Sequence, residues 1–478
     1  MVKKIKLLFL CYSIFYPFCG YSVAGAEKEK KYRPDEIIVK FKKTATDERI
    51  RQINSKHNTS ELYASLYAGF KILKKPEGIS AEQAVEIYEN DPQVEYAELN
   101  YYAYAHFVPN DTYYWRQWNF QNIGGINIEP AWDITTGDPN IIVAVLDTGI
   151  AYENYKNFLL APDLADTHFV SGYDFINNDS HPNDDEGHGT HVTGTIAQST
   201  NNSMGAAGIA FNCSIMPVKI LNKRGEAPYS TVADGVYFAV DNGAKIINMS
   251  LGGDSNSITL KNAVAYAYNH GVTCICSAGN DYLEGNNTQY PAAYDDYCIA
   301  TGATRFDKTR AYYSNTGSYL DVVAPGGDIN VDQNGDGWED GIVQQTFDKN
   351  PSVFGYYLYQ GTSMAAPHVT GVAALLASLG ITNPDDIRVA LQNTATDLGT
   401  IGWDSSYGWG LIDAFAAINY HFDKADFDKD GDVDLEDLQI LCNNWLGDNP
   451  IIDITPPGGD GIIDFLDFAD FADSFANQ

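Results

Sequence analysis

Five short apolar runs, at residues 141–146, 215–220, 245–249, 272–276 and 298–301, constrain this chain more than any other feature of it. Each is continuous rather than alternating, so a strand built from it must be buried on both faces, the condition of strands in a parallel sheet covered on both sides. Helical patterns intervene at 188–198, 230–242, 257–270 and 364–379. The alternation predicts a three-layer α/β domain with an open parallel sheet over about 109–417. Its functional groups belong on loops at the carboxyl ends of the strands.

Smaller units flank this domain. Residues 32–106 read as a strand at 36–41, a polar helix at 47–57, two strand-like runs within 62–73, a helix at 80–89 and a closing strand at 94–99. Ser80 is placed to cap the second helix, with Gln83 in the capping-box position. This is the element order of a ferredoxin-like α/β unit. Beyond His421 lies a short acidic module, 423–478, with two loop-helix units. At the other end Lys3, Lys4 and Lys6 precede an apolar run at 7–18, and Ala24-Gly25-Ala26 closes the segment. That is a secretory signal cleaved after Ala26, too short and too interrupted by Tyr16-Pro17 to span a bilayer, which takes ~20 residues. The expected division is 1–26, 27–106, 107–420 and 421–478, in a secreted product.

Charge narrows the partners. The net charge is −33, yet residues 1–106 hold 16 basic and 14 acidic side chains, so the remainder carries −35. This balance argues against nucleic acid or an anionic membrane and favours calcium or cationic substrates. No later stretch is long and apolar enough to span a membrane. Cys213, Cys274, Cys276, Cys298 and Cys442 remain after the signal is removed. Five is odd, no C-x-x-C pair occurs, and Cys274 and Cys276 fall on one strand face, so buried free thiols are expected rather than a disulfide framework.

Three motifs carry chemistry. Asp147 ends an apolar strand and precedes Thr148-Gly149, which delivers a carboxylate to the sheet's carboxyl edge. His188 and His191 lie in Glu186-Gly187-His188-Gly189-Thr190-His191, glycine-rich at a helix start. A metal reading lacks the Glu of H-E-x-x-H, whereas a general base there fits. Ser363, in Gly361-Thr362-Ser363-Met364-Ala365-Ala366-Pro367-His368, stands immediately ahead of an alanine-rich helix, with Pro367 expected in the first turn. A serine there is either a cap or a nucleophile at the positive end of a helix dipole.

Taken together, the order Asp147, His188, Ser363, each in its own dense motif, resembles the subtilisin family of serine peptidases. The resemblance implies an Asp-His-Ser triad and an endopeptidase acting on polypeptides. It also implies an oxyanion-hole asparagine at Asn280 in Ser277-Ala278-Gly279-Asn280, and a substrate-pairing segment at Ser250-Leu251-Gly252. Residues 27–106 then look like an inhibitory propeptide, released near 104–108 by the enzyme itself. From thermitase-like relatives, Asp111, Asp163 and Asn202 are carried over as calcium ligands. A catalytically silent scaffold is the alternative, although a scaffold has no need of all four catalytic positions.

Acidic loops add further candidates for Ca²⁺. Asp426, Asp428, Asp430, Gly431, Asp434 and Asp437 stand at positions 1, 3, 5, 6, 9 and 12 of an EF-hand-like loop. With the helix that follows, they resemble the dockerin module of cellulosome-type assemblies, which implies a cohesin-like partner. The second copy is degenerate, and an insertion would make Asp453 its first ligand. Asp332, Asn334, Asp336, Gly337 and Asp340 repeat the D-x-N-x-D-G pattern inside the α/β domain.

Overall fold

The computed structural model describes residues 32–102 and 106–420 and, beyond them, 425, 427, 433, 435–447, 452, 454 and 462–476. The expected signal lies outside the described residues, as do Asp426, Asp428, Asp430, Asp434 and Asp453. The chain forms two compact units, Met1–Ala105 and His106–Gln478.

The first unit runs β1 (Tyr32–Phe41), α1 (Asp47–Lys56), β2 (Ser60–Ala64), β3 (Phe70–Lys74), α2 (Ala81–Glu89) and β4 (Val94–Tyr101). Its sheet is antiparallel in the order β2-β3-β1-β4, the ferredoxin-like arrangement expected. Ile37, Val39 and Phe41 of β1 pack with Ile50 and Ile53 of α1 and Tyr88 of α2. The capping box forms: Ser80 Oγ accepts from Gln83 N at 3.2 Å, and Gln83 Oε1 accepts from Ser80 N at 2.9 Å.

In the second unit, eight parallel strands make one sheet. They are β5 (Ile142–Asp147), β6 (His168–Phe169), β7 (Tyr173–Asp174), β8 (Ser214–Lys219), β9 (Ile246–Met249), β10 (Thr273–Ser277), β11 (Cys298–Thr304) and β12 (Val322–Pro325). Their order is β12-β11-β10-β9-β5-β8-β6, with β7 also against β8. The short helix α3 (Glu129–Trp132) leads in, followed by α4 (His188–Ala197), α5 (Tyr229–Asp241), α6 (Ile258–Asn269) and α7 (Thr362–Ser378), then α8 (Pro384–Asn393) and α9 (Ala414–Ile418). Val143, Val145, Ile215, Ile246 and Ile275 share one core with α4 and α7. Ala144, Leu146, Met216, Ile247 and Met249 share the other with α5 and α6. Burial on both faces is why the runs carry no alternation. Because β5 lies between β8 and β9, the strand order reverses at β5 and leaves a crevice at its carboxyl end. Cys213, Cys274, Cys276 and Cys298 are buried free thiols and Cys442 is an exposed one.

A hairpin, β13 (Ile342–Phe347) and β14 (Phe354–Tyr359), pairs outside this sheet. Its buried middle, Gln344-Gln345-Thr346, is polar and so hides the strand from a hydrophobic pattern. Near the C-terminus α10 (Leu435–Asn443) and α11 (Phe465–Ala476) share a core of Leu441, Ile463 and Phe471. Each helix sets a buried aspartate back onto loop backbone: Asp437 accepts from Phe427 N at 2.6 Å, Asp467 from Ile454 N at 2.7 Å. No helix among the described residues is long and apolar enough to cross a membrane.

Candidate active site

The crevice at β5 holds Asp147, fully buried at the strand's end. Its Oδ1 accepts from Thr148 N at 2.7 Å and pairs with His188 Nδ1 at 2.8 Å, while Oδ2 has no hydrogen-bond partner. His188 opens α4 as expected, after Gly187 at φ 112°. Gly189 permits this approach, since a Cβ there would stand 2.2 Å from Gly149 O and 3.0 Å from Asp147 Cβ. Burial by itself would lower the His188 pKa. The Asp147 charge and hydrogen bond, followed by Glu186 and Asp184, outweigh it and hold the imidazole above its usual value.

Asp184 is a residue the motif reading missed. Fully buried, it accepts from Thr148 Oγ1, Glu186 N, Gly187 N, Thr190 N and Thr190 Oγ1 at 2.6–3.0 Å, fastening the loop before α4 to the strand end. Its position a few residues ahead of a glycine-flanked helix start was the available signal. Lys219, also missed, is buried at the end of β8 and donates to Thr148 O, Asp185 Oδ1 and Leu221 O.

His191 does other work. Its Nε2 faces the carbonyls of Ile342 and Tyr357 at 3.0 and 3.2 Å, and its ring stacks on Tyr359 at 4.3 Å. Burial drives its pKa down to about 3, so the ring is neutral and Nε2–H is the donor. It is a packing histidine.

Ser363 corrects two expectations. The helix begins at Thr362 with Gly361 as cap, so Ser363 lies within the first turn rather than ahead of it, and Pro367 falls in the second turn, not the first. Proline offers no N–H to the carbonyl four residues back. Here that carbonyl is Ser363 O, and Ser250 Oγ donates to it at 2.8 Å instead. Ser250 O in turn accepts from Ser363 Oγ at 3.2 Å. Behind Ser250 a buried relay runs from Thr370 Oγ1 to Asn248 Oδ1 at 2.8 Å and from Asn248 Nδ2 to Ser250 Oγ at 3.0 Å.

Asn280 follows β10 on the far wall. Its Oδ1 accepts from Thr362 N at 2.9 Å and Thr362 Oγ1 at 3.0 Å. A backbone N–H can only donate, so the amide's orientation is determined and Nδ2 is the end left for a ligand. Gly279, at φ 107°, donates its N–H to Thr362 Oγ1 at 3.2 Å. Ser277 Oγ reaches Leu251 O at 3.5 Å, and Ala278 is buried behind it. Ser250, Leu251 and Gly252 leave β9 as unpaired chain and, with Glu186, His188 and Tyr229, line a cleft of about 430 Å³.

The carried-over calcium positions also converge. Asn202 Nδ2 donates to Asp163 Oδ1 at 2.9 Å, and Asp163 is fully buried. Asp111 Oδ2 accepts from Asn201 N at 2.7 Å, while its buried Oδ1 has no partner. Burial raises the pKa of both carboxyls.

Known proteins match along these same segments. A model of the subtilase family matches residues 138–410, and one of the fervidolysin N-terminal prodomain matches 21–100. A thermophilic serine proteinase of Bacillus sp. (strain AK1) is 37% identical over 393 residues, 81% of this chain and 88% of that protein. Thermitase of Thermoactinomyces vulgaris is 38% identical over 66% of this chain and 100% of its own length. The crystal structure of fervidolysin from Fervidobacterium pennivorans, a keratinolytic enzyme related to subtilisin, superposes with a TM-score of 0.55 at 27% identity, covering 83% of this chain and 62% of that one. The chain belongs to the subtilase family and is a subtilisin-like serine endopeptidase with an N-terminal prodomain.

Proposed function

We propose that Asp147, His188 and Ser363 form the catalytic triad of a secreted, self-processed endopeptidase. The observation that carries this is the 2.8 Å contact between a fully buried Asp147 and His188, in a cleft lined also by Ser250, whose carbonyl accepts from Ser363 Oγ. The Ser363 proton turns from the Ser250 carbonyl to His188 Nε2 as Oγ attacks the scissile carbonyl. His188 then passes it to the leaving amine, and Asp147 holds the tautomer and stabilises the imidazolium. Asn280 Nδ2 and Ser363 N–H receive the developing oxyanion. Substrate backbone runs along Ser250-Leu251-Gly252 on one side and Ser277-Ala278-Gly279 on the other.

In this reading residues 1–26 are the signal, 27–106 the inhibitory propeptide, 107–420 the catalytic domain and 421–478 a dockerin-like module. Asp426, Asp428, Asp430, Asp434 and Asp437 bind calcium there, for a cohesin-like partner. Calcium also suits Asp111, whose buried Oδ1 has no hydrogen-bond partner, with Asp163 and Asn202 assigned beside it from the likeness to thermitase. The ion would supply stability there and take no part in hydrolysis. The test is time-resolved mass analysis of purified precursor, wild type beside Ser363→Ala, with calcium and with chelator. Loss of residues up to about 106 in wild type alone is the expected result. Both proteins staying full length with calcium would overturn the reading.

A further inference from the structure

We propose that the loop 332–340 is a calcium site that clamps the β13–β14 hairpin. Asp332, Asn334 and Asp336 alternate along it, Gly337 makes the turn at φ 89°, and Asp340 closes it with an N–H to Val331 O bond of 2.8 Å. Asp332 already gathers the loop backbone, accepting from Gly335 N at 2.7 Å and Gly337 N at 3.0 Å. That much any polar turn could do.

Asp340 is different. The rest of the loop is largely exposed, yet Asp340 is only 1% exposed. Its carboxylate folds back over the loop, Oδ2 accepting from Gln333 N at 2.6 Å, while the buried Oδ1 has no partner. An unpaired buried carboxylate oxygen costs free energy unless a hydrogen-bond donor or a cation meets it. Asp332 and Asp336 are near enough to add to the repulsion on Asp340, behind the larger effect of its burial. Among the described residues no three acidic or histidine side chains stand ready-made around one point. A five-oxygen set is nevertheless at hand in Asp332, Asn334, Asp336, the Trp338 carbonyl and Asp340, at the alternate spacing that wraps a hard cation. Magnesium fits less well, since it demands near-ideal octahedral geometry and keeps several of its waters.

The loop feeds straight into β13 through Gly341 and Ile342. Ile342 O and Tyr357 O hold His191, and Tyr359 stacks on it, three positions along α4 from His188. Filling the loop therefore orders the hairpin that backs the His188 helix. Binding and ordering stand apart from the triad assignment, and both are read without activity.

Terbium reads the site directly, because Trp338 lies inside the loop to sensitise it. In full-length Ser363→Ala protein, terbium emission excited through tryptophan should fall in Trp338→Phe. The same Trp338-dependent part should vanish in Asp332→Asn/Asp336→Asn, and calcium should displace it. Its calcium midpoint, expected at about 10⁻⁴–10⁻³ M as in extracellular modules, should move at least about tenfold in Asp340→Asn. Calcium should slow amide exchange at 342–359 in the parent but not in Asp332→Asn/Asp336→Asn, while melting in chelator is equal for both. No Trp338-dependent emission, or its survival in the double variant, overturns the site. Emission without a change in exchange at 342–359 overturns the clamp.

Discussion

Thr362→Val tests whether the proposed oxyanion donor, Asn280, is oriented as the geometry requires. Valine keeps the shape of a fully buried threonine but removes Oγ1, which donates to Asn280 Oδ1 at 3.0 Å and accepts from Gly279 N at 3.2 Å. The backbone bond from Thr362 N at 2.9 Å survives, so one of two restraints on the amide is lost. One net hydrogen bond is worth about 0.5–1.5 kcal/mol. At about 1.4 kcal/mol per factor of ten, kcat should fall roughly two- to tenfold with KM little changed. Asn280→Ala removes the donor itself. For that, about 100- to 1,000-fold is expected, the effect of removing the oxyanion-hole asparagine of subtilisin, a relative. The decisive assay is the double-mutant cycle on a peptide amide substrate. If Thr362 acts through Asn280, Thr362→Val costs nothing further once Asn280 is alanine. Losses that multiply, or a Thr362→Val enzyme with unaltered kcat, would refute the reasoning.

Other perturbations have equally definite outcomes. Glu186→Gln removes a carboxylate that helps hold the His188 pKa up, so the imidazole should lose its proton at lower pH and the acid limb of the kcat/KM profile should move down; an unmoved limb would mean Glu186 does not reach His188 electrostatically. His191 and His368 are buried neutral, with pKa values pushed down to about 3 and about 4 from 6.5. Below pH 6.5 the unfolded chain binds protons that the folded one refuses, so stability present above 6.5 drains away toward pH 4, and the Tm of Ser363→Ala should fall across that window, less steeply in His368→Gln. Lys219→Met strands Asp185 and the Thr148 and Leu221 carbonyls, which should cost about 3 kcal/mol in urea unfolding of Ser363→Ala; a neutral result would show water replacing the ammonium. Calcium at about 100 times its dissociation constant stabilises by about 2.7 kcal/mol, so chelator should lower Tm, and Asp163→Asn should remove part of that response.

What was legible in the sequence followed from burial. Continuous apolar runs such as Val143-Ala144-Val145-Leu146 state that both faces of a strand are covered, and the motifs then place Asp147, His188 and Asn280 at strand or helix ends. The β13–β14 hairpin was not legible, since Gln344 and Gln345 are buried through specific hydrogen bonds, to Ala207 O and with Asp163 N and Tyr356, that no periodicity encodes. Asp184 and Lys219 escaped for the same reason. A charged residue fully satisfied by loop backbone reads, in sequence alone, like any surface polar residue.

The proline of α7, the helix that carries Ser363, links these levels. Pro367 would weaken any helix interior by leaving the carbonyl four residues earlier without its donor. In this chain that carbonyl belongs to Ser363, so the defect falls on the proposed nucleophile, which that role requires to be both positioned and free to turn. Ser250 fills it with a hydroxyl that is itself held by Asn248 and Thr370. The chain leaving β9 is thereby tied to α7 at Ser363, and the same Ser250 offers its own carbonyl to Ser363 Oγ. A helix without the proline would need no such tie, and Ser363 would be referenced only to its own helix. In the proposed mechanism this ties the wall formed by Ser250, Leu251 and Gly252 to Ser363, which would hold a substrate strand along that wall in register with the attacking oxygen.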